Sequence, residues 1–402
     1  CWAVLRAMHK MMEKTALLLV LVLSVIALVF ADHAFVGLDG NKTNLVLSPP
    51  AGGQVVVDGV PFRSLVDRLV TLETRIGTLA QQPQCMTVVD TTITGLNGNG
   101  KWLRGVLAGN GKIYGIPRDS ASVLIIDPAT NTADTTTIMG LSRDAKWHGG
   151  ALAGNGKIYG IPFYSSSVLI IDPATNTADT TTITGLNGPA KWHGGVLTGN
   201  GKIYGIPLGS ASVLIIDPTA NTADTTTITG LIGGWTGGVL AGNGKIYGIP
   251  WSSASVLIID PATNTADTTT ITGLSGDAKW NGGVLAGNGK IYGIPFSSAS
   301  VLIIDPSTNI ADTTTITGLS GPANWHGGVL ASNGKIYGMP YHSTSVLIID
   351  PATNTVDNTT ITGLSAGANK WVGGVLAGNG KIYGIPHDST SVLIIKRDCQ
   401  GL

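Results

Sequence analysis

Residues 147–186 read WHGGALAGNGKIYGIPFYSSSVLIIDPATNTADTTTITGL, and close copies of this segment fill most of the chain. The tryptophans that open the copies, Trp102, Trp147, Trp192, Trp235, Trp280, Trp325 and Trp371, stand 43 to 46 residues apart. A self-similar period in the low forties, with short β-type runs and turn signals in each unit, marks β-propeller blades, which bury both faces only by stacking on neighbours. The expected fold is therefore all-β: a seven-bladed β-propeller over residues 85–399, preceded by an N-terminal signal segment and a short amphipathic helix. The 56 glycines and the many Thr, Val and Ile residues suit short strands joined by tight turns.

Each unit holds four strand signals, GGVLAG, KIYGIP, SVLIID and DTTTITG, here called strands a to d. Asn-Gly, as at Asn155 and Gly156, predicts a two-residue hairpin turn between a and b. Asp-Pro-Ala-Thr-Asn-Thr predicts a type I turn between c and d, with Pro presetting φ and Asp bonding back to following amides. Val168 to Ile171 is an unbroken apolar run, expected to be buried on both faces. The alternating Thr and Ile of strand d suit a solvated outer edge.

The ring must close, and the two ends of the repeat complement each other. The last unit stops after SVLIIKRDC without a strand d, and the first Trp is preceded by CMTVVDTTITGL, a strand d without a blade. Residues 86–95 are thus expected to pair with 391–397. Cys85 and Cys399 flank these segments, and in an oxidising compartment they are expected to form a disulfide across the closure.

The chain before the ring divides at residue 31. Lys10 and Lys14, an apolar run over 16–30 and then Ala31 read as a secretory signal peptide, residues 1–31. The alternative is a signal anchor over 15–31, although the run is shorter than the ~20 residues that span a bilayer comfortably. Residues 32–84 form a non-repeating stalk. Within it Phe62, Leu65, Leu69, Leu72, Ile76 and Leu79 make an a/d heptad seam, with Arg68 and Glu73 at g and e positions. Residues 62–79 are either a homo-oligomerising coiled coil or an amphipathic helix resting on neighbouring structure. Sequons at Asn41 and Asn358 fit a secreted, extracellular protein, with glycosylation at both.

Charge is balanced, with 24 basic and 24 acidic residues and no basic run in the repeats. Phosphate neutralisation has no footprint here, so nucleic acid is not an expected partner. A membrane partner is expected only if the signal segment stays uncleaved.

The repeat residues resemble known propeller units. GKIYGIP followed by SVLIIDPATNT is similar to the strand pair of YVTN-type and kelch-type repeats, in which a G-K-x-Y strand precedes a D-P-x-T-N turn. The resemblance covers residues 86–399 and implies a propeller. Those families include surface-layer, scaffolding, lectin-like and enzymatic members, so it selects no activity.

Strands and turns hardly vary between copies. Variation collects after Ile-Pro, at Arg118, Phe163, Leu208, Trp251, Phe296, Tyr341 and His387, and on either side of each Trp. The b–c and d–a loops that carry it emerge on one face of a four-stranded blade. Aromatic rings stack on apolar sugar faces and hydroxyls satisfy polar rims. Arg118, Phe163, Tyr164, Trp251, Phe296, Tyr341, His342 and His387 are therefore the candidate ligand-binding residues, for an extracellular glycan or protein. The alternative is a structural or adhesion protein of the cell surface without a discrete site. His148, His193 and His326 share the position after Trp, and no metal site or cofactor is expected from them. No Ser/His/Asp order, phosphate loop or unique carboxylate pair appears, so the expectation is a binding protein and not an enzyme, with no catalytic residues.

Overall fold

A computed structural model describes residues 35–38, 45–48, 56–57, 60–61, 86–141, 145–319 and 321–398. The described residues form strands and turns and no helix. The chain divides into two units, residues 1–84 with 401–402 and residues 85–400. In the first, Phe35–Leu38 pairs antiparallel with Leu45–Ser48, and Val56–Val57 with Val60–Pro61. The expected signal segment, the helix over 62–79, Asn41, Cys85 and Cys399 lie outside the described residues.

The second unit is seven four-stranded antiparallel sheets, each a simple a-b-c-d meander. In the second blade the strands are Trp147–Leu152, Ile158–Pro162, Leu169–Asp172 and Thr177–Asp179. Strand a of each blade packs on strand a of the next, the seventh on the first included, so the sheets radiate from one axis with a innermost. The seventh blade borrows its strand d from the start of the ring. Met86–Asp90 pairs antiparallel with Leu393–Asp398, Asp90 standing opposite Ile394 and Met86 opposite Asp398. The ladder ends at Asp90, whose Oδ1 accepts the Thr92 N–H at 2.7 Å and turns the chain away.

Hydrophobic burial between blades supplies the core. Tyr159, Ile161, Val168 and Ile170 of the second blade pack with Trp192, Ile203, Leu214 and Ile216 of the third. The apolar run of strand c is buried on both faces, as its pattern predicts. Each Trp opening strand a is a wedge in this layer. Trp147 is buried, and its Nε1 donates to the Ser167 carbonyl at 2.7 Å, which ties strand a to the b–c loop of its own blade.

Two local expectations are corrected. Strand d is Thr177–Asp179, one short segment before the threonine run. Asp179 Oδ1 accepts from the Thr181 N–H and hydroxyl at 2.7 and 2.8 Å, and Asp179 also takes the Thr182 hydroxyl. These local bonds hold DTT as a side-chain-capped turn and win over its β-propensity. Ile183 then returns to the core, and its carbonyl accepts the Val168 N–H at 3.0 Å.

The a–b connection is also longer than a two-residue hairpin. Leu152 pairs with Ile158, the Gly156 N–H donates to Ala153 O, and the left-handed φ of 80° falls on Gly156 with Asn155 outside that region. This is a type I turn followed by a left-handed glycine. Asn155 is recruited elsewhere. Its Oδ1 accepts the Lys157 N–H at 3.1 Å, while Nδ2 donates to Tyr159 Oη at 3.0 Å and to Pro218 O of the next blade at 3.2 Å.

Tyr159 Oη in turn donates to Asn221 Oδ1 of that blade's c–d turn at 3.0 Å. The same latch recurs from Tyr114 to Asn176 and from Tyr204 to Asn264. Asn379 of the last blade reaches Pro128 O of the first at 3.0 Å, so the asparagine half of the latch spans the closure, while Asn131 Oδ1 is left without the tyrosine hydroxyl bond. Between the sixth and seventh blades Lys396 stands where other copies carry the turn Asp, and a small cavity there is lined by Asn333, Tyr337, Ile395 and Lys396.

Tyr159→Phe keeps the packing and removes the latch hydroxyl. Urea denaturation is expected to show a loss of about 1 to 2 kcal/mol, because Asn221 Oδ1 loses its buried donor. An unchanged midpoint would show that the latch contributes nothing.

Candidate functional site

The residue after the proline of strand b is held by its backbone between two blades in every copy but the third, at Leu208. Phe163 N–H donates to Lys146 O of its own blade at 2.8 Å, and Phe163 O accepts the Lys191 N–H of the next at 3.1 Å. The ammonium groups reinforce this. Lys191 Nζ donates to Phe163 O at 2.9 Å, and Lys279 Nζ to Trp251 O and Ser253 O at 3.0 and 2.9 Å. These lysines are buried and lie beside the following Trp ring, Lys191 Nζ 5.9 Å from the Trp192 centroid. Burial pulls their pKa down, with Lys101 falling to about 8 against the opposing pull of Asp388. The backbone is thereby fixed while the side chain at this position is free to differ.

Those side chains gather around the axis. Trp251 and Phe296 have ring centroids 4.8 Å apart, Phe296 and Tyr341 5.6 Å, and Tyr341 and His387 6.0 Å. His342 stacks on Tyr341 at 4.9 Å. Phe163 stands apart from that arc and stacks on His148 at 3.6 Å, while Tyr164 is exposed and meets Phe163 edge-on. Arg118 pairs with Asp119 at 2.5 Å, and Asp119 also caps the Ala145 N–H. Asp388 Oδ1 accepts from Gly100 N–H and His387 Nδ1, each at 2.7 Å. The charged rim is therefore partly engaged in holding loops. Asn358 is exposed, next to Asp357 of strand d and far in the repeat from the axis positions.

The residues after each Trp form a second layer beside this one. His148, His193, Thr236, Asn281 and His326 are all buried. His193 and His326, three blades apart in sequence, have centroids 6.2 Å apart, so they face each other across the axis. His326 also meets Phe296 at 5.9 Å and Tyr341 at 5.4 Å, which joins the two layers. Burial, aided by the charges of Arg104 and Arg118 and by neighbouring histidines, holds His148, His193 and His326 well below the usual imidazole range. Their rings are neutral at physiological pH. Among the described residues no three His, Cys, Asp or Glu side chains gather as a metal site would need.

One residue escapes the sequence reading. At the third position of strand a six copies carry glycine, with φ between 69° and 81°, and the first carries Arg104 at φ 65°. A Cβ on Gly194 would lie 3.2 Å from Gly237 Cα, closer than ordinary van der Waals contact, so the inner strands are crowded there. Arg104 instead sends its side chain across the axis, past Gly149, Gly194, Gly237 and Gly282. Its Nη2 donates to Asn281 Oδ1 at 3.2 Å and its Nε is sealed without a partner. The visible signal was WLRGVL at 102–107, where the six other copies carry Gly-Gly at the third and fourth positions, as in WHGGVL at 192–197.

No family model matches the chain, and no curated protein matches it. The YVTN- and kelch-type resemblance stays with the repeat residues that suggested it. Among solved structures, a streptogramin B lyase superposes with a TM-score of 0.62 at 11% identity, covering 78% of this chain and 98% of that one. A catalytically inactive virginiamycin B lyase from Staphylococcus aureus, solved with quinupristin, gives 0.62 at 9% identity over 77% and 99%. The extracellular domain of a putative one component system from B. thetaiotaomicron gives 0.58 at 13% identity, covering 77% of this chain and 42% of that one. At these identities the likeness is one of fold. It overturns the expectation that this chain is not an enzyme: proteins of this fold include lyases, so the lack of a linear catalytic motif excludes no catalysis.

The histidine layer sets an acid limit. Each imidazole is held below its unfolded value near 6.5, so its stabilising contribution is complete above that pH and is lost as pH falls beneath it. Each histidine adds up to about 1.4 kcal/mol per pH unit to the slope. Thermal midpoints measured from pH 7.5 to 4.5 are expected to fall below pH 6.5. The double variant His193→Asn, His326→Asn, which copies Asn281, is expected to flatten the curve; an equal slope in the variant would refute this origin.

Proposed function

We propose that this chain is an extracellular binding module that takes a carbohydrate at the axial mouth formed by the b–c and d–a loops. The observation that carries the reading is the contiguous arc of Trp251, Phe296, Tyr341 and His342 over three successive blades, held on a backbone clamped between blades. Sugar rings stack on such faces, and preorganised aromatics bind at low entropic cost. Extracellular domains of sensor proteins among the structures of this fold support the setting. Among the described residues no helix is long and apolar enough to cross a membrane.

The same setting favours the clasp Cys85–Cys399, since the last described pair of the closing ladder, Met86 opposite Asp398, adjoins both in sequence. By loop entropy it would contribute on the order of 4 to 5 kcal/mol. Alkylation of the denatured, unreduced secreted protein is expected to leave both thiols unlabelled; labelling of both would remove the clasp.

The carbohydrate reading is tested on a glycan array with the secreted protein and its Trp251→Ala, Phe296→Ala, Tyr341→Ala triple variant. Defined sugar hits are expected, falling at least tenfold in the folded triple variant. A blank array with the protein retained at the cell surface would favour a structural or adhesion role.

A further inference from the structure

The axis holds a side chain that the architecture does not ask for. Six copies fill the third position of strand a with glycine, the residue suited to a left-handed φ where neighbouring backbones nearly touch. Arg104 adopts the same φ with a side chain, a conformation that costs free energy and is concentrated at functional sites. It also places a half-buried cation on the axis of the ring, beside Gly194, Gly237 and Gly282. Burial is the cause that lowers its pKa to about 10, which leaves it charged at neutral pH. Among the described residues no carboxylate pairs with it.

The groups around it are short of an acceptor. A guanidinium carries five donors, and the bond to Asn281 uses one. Because Asn281 Oδ1 receives that bond, Asn281 Nδ2 is the donor to His326 Nε2 at 2.9 Å. Neutral His326 then carries its proton on Nδ1, and that nitrogen is buried with no partner. His193 Nδ1 and both nitrogens of His148 are likewise buried and unbonded. Buried polar groups left open in this way cost stability unless something supplies the missing bonds. A guanidinium with neutral imidazoles presents one net positive charge, which matches a monoanion. Its planar fork matches a carboxylate in particular.

We propose that Arg104 anchors an anion site on the propeller axis, and that the mouth takes an acidic sugar whose carboxylate is bound by this guanidinium. The sugar half of this assignment rests on the carbohydrate reading above; the anion half rests on Arg104 and its neighbours alone. The aromatic arc holds the ring, and Arg104, Asn281 and the unbonded histidine nitrogens discriminate in favour of the charged end. Arg104 is one layer from the aromatic residues through His326, which touches both Phe296 and Tyr341 and is bonded to Asn281.

The test uses the whole chain as wild type, Arg104→Gly and Arg104→Lys, titrated calorimetrically with D-glucuronate, D-glucose and sodium acetate. Arg104→Gly restores the residue of the other six copies, so its thermal midpoint is expected at or above that of the wild type. Wild type is expected to bind glucuronate at least tenfold more tightly than glucose and to bind acetate weakly in competition. Arg104→Gly is expected to lose the preference and the acetate competition, and Arg104→Lys to keep a reduced preference because the charge remains and the fork does not. A preference for glucuronate that survives unchanged in Arg104→Gly overturns the proposal. So does equal binding of glucose and glucuronate by wild type, an outcome that leaves the carbohydrate reading intact. Acetate binding that depends on Arg104 while neither sugar binds overturns the acidic-sugar assignment together with the carbohydrate reading. If the glycine variant fails to fold, the lysine variant decides: a preference equal to wild type marks Arg104 as a structural pin and overturns the proposal.

Discussion

Seven inner strands converging on one axis leave little room for a Cβ at their third position, which six copies fill with glycine, and the rest of the ring is arranged around that crowding. A side chain on Gly327 would come within 3.1 Å of Gly373 Cα. The strand answers with a bulge between Trp147 and Gly150, repeated in every blade, which bends it and re-aims its side chains. Trp147 is turned between blades, where its ring is a wedge, and His148 is left beside Phe163 of the adjoining loop. The crowding thus separates a structural position from a variable one at neighbouring residues.

Hydrogen bonds between blades extend that separation to the loops. On one face the tyrosine and asparagine latch grips the next blade's c–d turn, through Asn155, Tyr159, Pro218 and Asn221. On the other face the residue before Trp grips the preceding blade's b–c loop, as Lys191 grips Phe163, in every blade but the fourth, where it is Gly234. Both sets bind backbone or turn asparagines, and neither uses the side chain that follows Ile-Pro. Arginine, leucine, histidine and four aromatic residues can therefore occupy one backbone position without disturbing the ring. That is why change accumulates at the mouth while turns and strands stay alike, whether or not a ligand selects it.

The architecture was legible in the sequence because turn chemistry and apolar runs act locally. Strand c and the Asp-Pro turn follow from residues four to six apart. The errors came where a side chain competes with the backbone. DTTTITG alternates like a strand, yet Asp179 captures the following threonines and stops the ladder. Asn155 was read as a hairpin residue, but its side chain is committed to Tyr159 and to another blade, a contact that no local pattern encodes. The mouth residues were visible as varied positions, whereas Arg104 sits inside a strand, where a lone charge reads as a solvent-facing residue. Only ring closure shows that this position, repeated every 43 to 46 residues, meets itself at the axis.

Near-identity of the copies makes each departure interpretable by what it costs. A leucine at 208 or a threonine at 236 fits its surroundings and requires no compensation, so duplication followed by drift accounts for both. Arg104 differs in kind, because the same drift would have to accept a left-handed arginine and a half-buried cation whose Nε is sealed without a partner, when glycine serves six times in the same ring. Histidines with unbonded nitrogens beside it add a second cost at the same place. Two unfavourable features that a ligand would relieve together are better explained by binding than by neglect, since natural sequences conflict with their local rules chiefly at functional sites.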